Sequence, residues 1–230
     1  MVTLEGEVPL IGGRVTAGVV RVENTVRRPA MANSNFVRRL LDHLAARNFE
    51  GAPSFLGTDE RGRDIFAFID GEVPSELSHY DDETLRAAAS LIRRFHDLSA
   101  ELVATPAAQA VGIEVICHND LSPCNFVFRA GVPSAMIDFD AAAPGSRLHD
   151  LGYAAWLWLD LGSPAVTASE QKRRLAVFVD TYGMYRPDSI LSAALERQAI
   201  LVAKAHRIGD LAMAQWATEC FEWTRRYACP

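Results

Sequence analysis

The stretch Val115–Asp140, VICHNDLSPCNFVFRAGVPSAMIDFD, decides how this chain is read. An apolar run breaks into His118-Asn119-Asp120, resumes at Phe126, and ends on Asp138-Phe139-Asp140. Buried polar groups are normally paired, yet Asp120, Asn125 and Asp138 stand at the edges of short apolar runs. NFVF and SAMIDF read as two strands with RAGVPS as the turn. A hairpin brings the outer ends of its strands together, so Asn125 and Asp138 become neighbours. A carboxylate beside an amide oxygen is a pair of hard oxygen ligands. It suits Mg2+, which keeps several waters and takes substrate phosphates as co-ligands. Asp120 lies on the loop entering the hairpin, near such a metal without having to bind it. That placement fits a base for an incoming hydroxyl. Taken singly, each of these residues is equally well a turn cap. The joint pattern H-x-D-x-x-x-x-N, then a hairpin, then apolar-Asp-apolar-Asp, carries the functional reading.

Outward from this island, the 230 residues are enough for one large domain or two small lobes around a real core. The net charge of −6 argues mildly against nucleic acid or an anionic membrane as partner. No basic start followed by an apolar run marks a signal peptide, and no window reads as a membrane span. The expected location is cytoplasmic. Cys117, Cys124, Cys220 and Cys229 form no CxxC pair and read as reduced, packed thiols. Upstream, GVVRVEN and TVRRP read as strands, and Phe36, Val37, Leu40, Leu41 and Leu44 make a helical stripe with Asn33 or Ser34 as its cap. PSFLGTDERGRDIFAFIDGEVP reads as two strands about a Glu-Arg-Gly turn. Downstream the composition turns helical, in DDETLRAAASLIRRFHDLSAELV, TASEQKRRLAVFVDTYG, DSILSAALERQAILVAKAHRIG and DLAMAQWATECFEWTRRYA. The third-last carries a Thr167-x-x-Glu170 capping box and stops at Gly183.

CHNDLSPCN followed by MIDFD resembles the catalytic and metal-binding segments of the aminoglycoside phosphotransferase family, which includes choline-kinase-like and macrolide kinases. TVRRPA resembles that family's strand with the phosphate-contacting cation, FAFIDGEVP its hinge, and LHDLGYAAW the segment after its metal site. The resemblance implies an α+β, bilobal, protein-kinase-like fold. Residues 1–69 would be a small β-rich nucleotide-binding lobe and 70–230 a larger, mainly helical catalytic and substrate-binding lobe. It implies that Asp120 orients and deprotonates the acceptor hydroxyl, with His118 a packed member of the catalytic loop. Asn125 and Asp138 would hold Mg2+ against the phosphates of ATP or GTP, with Asp140 as an occasional ligand. Asp150 would tie down the loop and cap the next helix. The backbone of Phe68, Ile69 and Asp70 would meet the base edge.

Four features depart from the family pattern. The usual Lys is replaced by Arg27, with Arg28 as the alternative; Arg meets phosphate as a planar fork rather than a point charge. The helical Glu that pairs with that cation falls on Val37. Only Gly12-Gly13 and Gly18 are available to cover a nucleotide, and Asn119 stands where Gly is common. These departures keep two other readings open: a nucleotide-binding module without turnover, and a kinase fold doing other transfer chemistry. The acceptor is expected to be a hydroxyl-bearing small molecule. Candidate lining is Asp160, Asp180, Asp210, Glu219 and Glu222 with Trp156, Trp158, Trp216 and Trp223, a mixture suited to a cation. Antibiotic resistance is a role this leaves open.

Overall fold

The structure is a computed structural model and is described for residues 6–10 and 18–228. Gly12, Gly13 and Cys229 lie outside the described residues. The chain begins with β1 (Val8–Pro9), β2 (Val20–Val22) and β3 (Thr25–Pro29), followed by α1 (Ser34–Ala45), β4 (Phe55–Thr58) and β5 (Arg63–Ala67). The five strands form one antiparallel sheet in the order β1-β2-β3-β5-β4. Strand β3 is central, and every one of its residues is half-buried. Helix α1 buries Val37, Leu40, Leu41 and Leu44, the spacing of a single helical stripe. Asn33 occupies its N-cap position without capping it, because its side-chain amide donates instead to the carbonyl of Asp140. The Ser34 hydroxyl is also engaged elsewhere, accepting from the Met31 N–H.

A connector over residues 68–81 leads to α2 (Asp82–Ala100), whose buried face includes Leu85, Ala88, Ile92, Phe95, His96 and Ser99. Asp81 caps it by accepting from the Thr84 N–H. The short α3 (Pro106–Ala110) precedes β6 (Val115–Cys117), the hairpin β7 (Phe126–Arg129) and β8 (Val132–Met136), and β9 (Ala143–Gly145). β6 pairs with β9 across the hairpin, so the catalytic-loop candidates leave the end of a buried strand. The hairpin is tighter than RAGVPS suggests. Its turn is Ala130-Gly131 alone, both at positive φ (50° and 79°), the two-residue geometry that matches strand twist. The second strand ends at Met136, so Asp138 lies just beyond it, in a left-handed conformation.

Four helices complete the chain: α4 (Arg147–Trp158), α5 (Ala168–Tyr182), α6 (Pro187–Ile208) and α7 (Leu211–Trp223). Thr167 caps α5 by accepting from the Glu170 N–H, and Gly183 ends it at φ +80°. Helices α4 and α6 cross closely because Gly152 has no side chain. A Cβ there would lie 2.5 Å from the carbonyl carbon and oxygen of Ala193. Among the described residues no helix is long and apolar enough to cross a membrane. The outcome is an α+β, two-lobed arrangement: a small sheet with one helix, and a larger helical body carrying the hairpin.

Candidate active site

The His118–Asn125 loop is fastened before any ligand is considered. Asp150 is fully buried and accepts the His118 N–H at 2.7 Å on one oxygen and the Asn119 N–H at 2.7 Å on the other. Its first oxygen also meets His96 Nε2 at 3.1 Å. His96 Nδ1 contacts the Tyr182 hydroxyl at 2.8 Å; that hydroxyl accepts from Arg147, which pairs with Asp97. Burial pushes the Asp150 carboxyl up, but the hydrogen bond and charge of His96, with those of His118, outweigh it and hold it below the usual carboxylate range. Asp150 therefore ties down the loop as expected. It does not cap α4, however. Ser146 does so by accepting from the His149 N–H, and Asp150 sits one turn inside the helix. The His118 ring is buried 4.6 Å from Phe139 and 6.5 Å from Phe95, with Nε2 at 3.0 Å from the Ile137 carbonyl. That is a packing role, away from solvent. Asn119 takes φ +66°, which explains why Gly is common at such a position. Its side-chain amide donates to the Ala141 carbonyl at 2.8 Å, a tie that Gly could not supply.

The hairpin base brings the oxygen donors together. Ile137 N–H donates to the Asn125 carbonyl at 2.9 Å, which sets Asn125 beside Asp138. The Asn125 amide N–H donates to the Asp120 carbonyl at 3.0 Å, leaving its Oδ1 as the atom to face a cation. Arg28 lies between two carboxylates: its Nη2 is 3.4 Å from Asp138 Oδ1 and also bonds Asp140. Strand neighbours point to opposite faces, so Arg27 is directed elsewhere, and its Nη1 is buried without a hydrogen-bond partner. The geometry thus brings Arg28, not Arg27, to the metal-ligand candidates. Val37 is packed in the core. The ion pair between α1 and the sheet runs with reversed polarity, from Arg38 on the helix to buried Asp64 on β5, directly across the strand pair from Arg28. Among the described residues no group of three or more His, Cys, Asp or Glu forms a closed metal cage. Two carboxylates that already converge on one cation, beside an amide oxygen, nevertheless fit Mg2+, which binds through few protein oxygens plus phosphates.

The hinge candidates lie where β5 leaves the sheet. Phe68 N–H donates to the Asn24 carbonyl, and Arg129 donates to the Asp70 carbonyl at 3.0 Å. Among the described residues no hydrogen bond engages the Ile69 backbone. The segment is stitched to β7 by paired bonds between Glu72 and Phe128, and Gly71 permits the approach, since a Cβ there would meet the Phe128 carbonyl at 2.5 Å.

A pocket of about 450 Å3 is lined by Leu77, Trp156, Asp160, Trp216, Glu219 and Trp223 among others. Trp156 and Trp216 stack with ring centroids 4.9 Å apart. The remaining lining candidates are elsewhere. Trp158 is core and donates to the Leu121 carbonyl, Asp180 is exposed, Asp210 caps α7, and Glu222 pairs with Arg225. Asp160 is already engaged by His79 at 2.9 Å and Arg174 at 3.3 Å.

Five residues escape sequence reasoning: His96, Tyr182, Arg147, Tyr153 and Arg197. Burial, together with the negative charge of nearby Asp120, pushes the Tyr153 phenol well above its ordinary value. For His96 and Tyr182, polar side chains within the apolar stripes of their helices were the available signal.

Comparisons with known proteins agree with the fold. The phosphotransferase enzyme family matches residues 101–187. The trifolitoxin immunity protein of Rhizobium leguminosarum bv. trifolii is 30% identical, over 92% of this chain and 92% of that protein. In solved structures, the microcompartment-associated aminopropanol kinase matches 91% of this chain and 88% of its own with a TM-score of 0.62 at 15% identity. The GDP complex of aminoglycoside 2'-phosphotransferase-IIIa matches 94% and 91% with a TM-score of 0.57 at 13% identity. Both share the kinase-like fold. The chain belongs to the phosphotransferase enzyme family that contains the aminoglycoside phosphotransferases and the choline-kinase-like proteins.

Proposed function

We propose that this chain is a small-molecule kinase that moves the γ-phosphoryl group of ATP or GTP to a substrate hydroxyl. The observation that carries the proposal is the placement of Asp120 on a loop pinned by Asp150, next to Asn125, whose amide is anchored on the Asp120 carbonyl. In this reading residues 1–69 hold the nucleotide and residues 70–230 the acceptor. The backbone around Ile69 meets the base, and Arg28 reaches the phosphates. Asn125 and Asp138, with Asp140 beside them, hold Mg2+, which would supply charge neutralisation on the phosphates. Asp120 accepts the hydroxyl proton as the acceptor oxygen bonds the γ-phosphorus. The bond from that phosphorus to the β-phosphate oxygen breaks, and the nucleoside diphosphate leaves. His118 holds the loop by packing. The likeness to the trifolitoxin immunity protein supports immunity to a toxin as a direction for this chain. The protein is expected to act in the cytoplasm, without nucleic acid or membrane.

A nucleotide-binding module without turnover is favoured by one observation: Arg28 is held by Asp138 and Asp140 rather than by a carboxylate on α1. The two readings part in one paired measurement, Mg-nucleotide affinity by titration and single-turnover phosphoryl transfer over a panel of aminoglycosides, macrolides, choline and sugars. Asp138→Asn should weaken Mg-nucleotide binding and turnover together. Asp120→Asn should keep the affinity and lower transfer by roughly 10²–10⁴-fold. Undiminished transfer in Asp120→Asn would sink the assigned mechanism. Binding without transfer by the wild type to any acceptor would favour the silent module.

A further inference from the structure

Behind the loop that carries Asp120, one side chain from α6 meets that loop and two residues of α4. Arg197 Nη2 donates to the Asn119 carbonyl at 2.9 Å. Its Nη1 bonds His149 Nε2, and its guanidinium carbon lies 4.7 Å from the centre of the Tyr153 ring. Tyr153 in turn lies close enough to Asp120 for that carboxylate's charge to act on its phenol, and it packs edge-on against Trp156 of the pocket at 6.0 Å. We infer that Arg197 is a positioning residue which, through Asn119 and Tyr153, fixes the direction in which Asp120 points. The inference rests on the reading of Asp120 as the group that meets the acceptor.

The chain of causes begins at Gly152. Its missing side chain lets α4 and α6 approach until the backbone of Ala193 would touch a Cβ. One turn beyond Ala193 on the same face of α6 is Arg197, which that approach delivers to the loop. His149 is fitted to receive it. Burial, then the charge of Arg197, hold this imidazole below its ordinary pKa, so it stays neutral and can accept a hydrogen bond. A guanidinium has five donors in a rigid fork and stacks on aromatic faces, and here carbonyl, imidazole and ring are met together. Asn119 has three polar groups engaged: N–H to Asp150, carbonyl to Arg197, side-chain NH2 to the Ala141 carbonyl. The residue immediately before Asp120 is therefore held on three sides. Misplacement by about 1 Å of a reacting group can cost roughly 10²-fold, so a tie of this kind is expected to show in turnover rather than in nucleotide binding.

The test uses the full chain as wild type, Arg197→Ala, Arg197→Lys and Tyr153→Phe. The readouts are Mg-ATP and Mg-GTP affinity, single-turnover transfer with water or any accepted hydroxyl as acceptor, and hydrogen exchange of the peptide spanning residues 117–121. Arg197→Ala should lower transfer by about 10–100-fold with nucleotide affinity kept within about twofold. It should also raise exchange of the loop amides about tenfold while leaving α2 and α5 unchanged. Arg197→Lys keeps one donor for the Asn119 carbonyl and should recover part of both. Tyr153→Phe keeps the ring under Arg197 but loses the hydroxyl, so transfer should fall while loop exchange stays as in wild type. Unchanged loop exchange in Arg197→Ala overturns the inference, as does a parallel fall of affinity, transfer and melting temperature in both Arg197 variants. If the wild type turns over nothing but Arg197→Ala still loosens the 117–121 amides, the kinase reading fails while the strut stands.

Discussion

The two sides of the candidate cleft are built by opposite methods. On the hairpin side the loop carrying Asp120 is fixed by buried partners. Asp150 receives two backbone N–H groups, and a relay through His96, Tyr182 and Arg147 reaches Asp97. On the sheet side Arg28 rests on Asp138 and Asp140, the residues proposed to meet the metal, while Val37 of α1 is packed in the core. One side holds its geometry with the protein's own groups. The other satisfies its charges with one another, and in the proposed reading would exchange partners when a phosphate-bound cation arrives. In that reading the acid–base geometry is prepared in advance, while the nucleotide geometry would be made on binding.

Removing Asp150 should do the most damage, because it breaks the prepared side at its centre. Asp150→Ala leaves two N–H groups and His96 without their acceptor inside the core. Breaking a buried, hydrogen-bonded charge typically costs about 3–5 kcal/mol, so a large drop in thermal stability is expected. A melt shifted by only a degree or two would mean that the loop is held by packing alone. The carboxyl sits below its usual 3.8 in the folded protein. Its contribution is therefore fully present above about pH 4, and is lost as pH falls through the still lower folded value. Stability measured between pH 7 and pH 5 should not change on account of this group. Below pH 4 the wild type should lose stability faster than Asp150→Asn.

The comparison is sharpened next at β3. Arg28→Ala removes the cation proposed to reach the phosphates. A hydrogen bond to a charged group is worth about 1.5–3 kcal/mol, so Mg-nucleotide affinity should fall by roughly ten- to a hundredfold. In the same variant Mg2+ alone should bind more tightly, because Asp138 and Asp140 lose their internal counter-charge. Arg27→Ala should change nucleotide affinity by less than about 0.5 kcal/mol. If Arg27 proves the critical residue, the faces of β3 are assigned the wrong way round. Isothermal titration of the two variants, with and without nucleotide, decides it.

What could be read from the sequence divides along the same line. The island's layout was legible because its pattern is local: two short apolar runs, a turn, and oxygen-bearing side chains at their ends. The long helices were legible because Leu40, Leu41 and Leu44, or Leu85, Ala88 and Ile92, repeat at helical spacing. The choice between Arg27 and Arg28 was not, since all five residues of β3 are half-buried and no alternation marks an inner face. Asp150 looked like a cap because it opens an apolar helix, although Ser146 supplied a better one four residues earlier. Arg197 could not be found at all. Its partners Asn119, His149 and Tyr153 come from distant parts of the chain, and its role depends on a helix crossing that only Gly152 allows.

The smallest effect tests the prepared side at one residue. Asn119 sits at φ +66°, a conformation that costs an ordinary side chain about 1–2 kcal/mol, that Asn adopts more readily, and that Gly adopts freely. Its amide also donates to the Ala141 carbonyl, a bond worth about 0.5–1.5 kcal/mol net. Asn119→Gly gives up that bond and some unfolded-state entropy but relieves the backbone, so stability should change by no more than about 1 kcal/mol. Asn119→Ala gives up the bond and keeps the strain, so it should be the less stable of the two by about 1 kcal/mol, although Ala is the better residue almost everywhere else. The measurement is chemical denaturation of the three proteins under one set of conditions. If Ala is tolerated better than Gly, the left-handed turn before Asp120 is not what sets the loop. If Gly matches Asn in stability yet lowers transfer, the Ala141 bond serves to align Asp120 with the segment carrying Asp138, rather than to hold the fold.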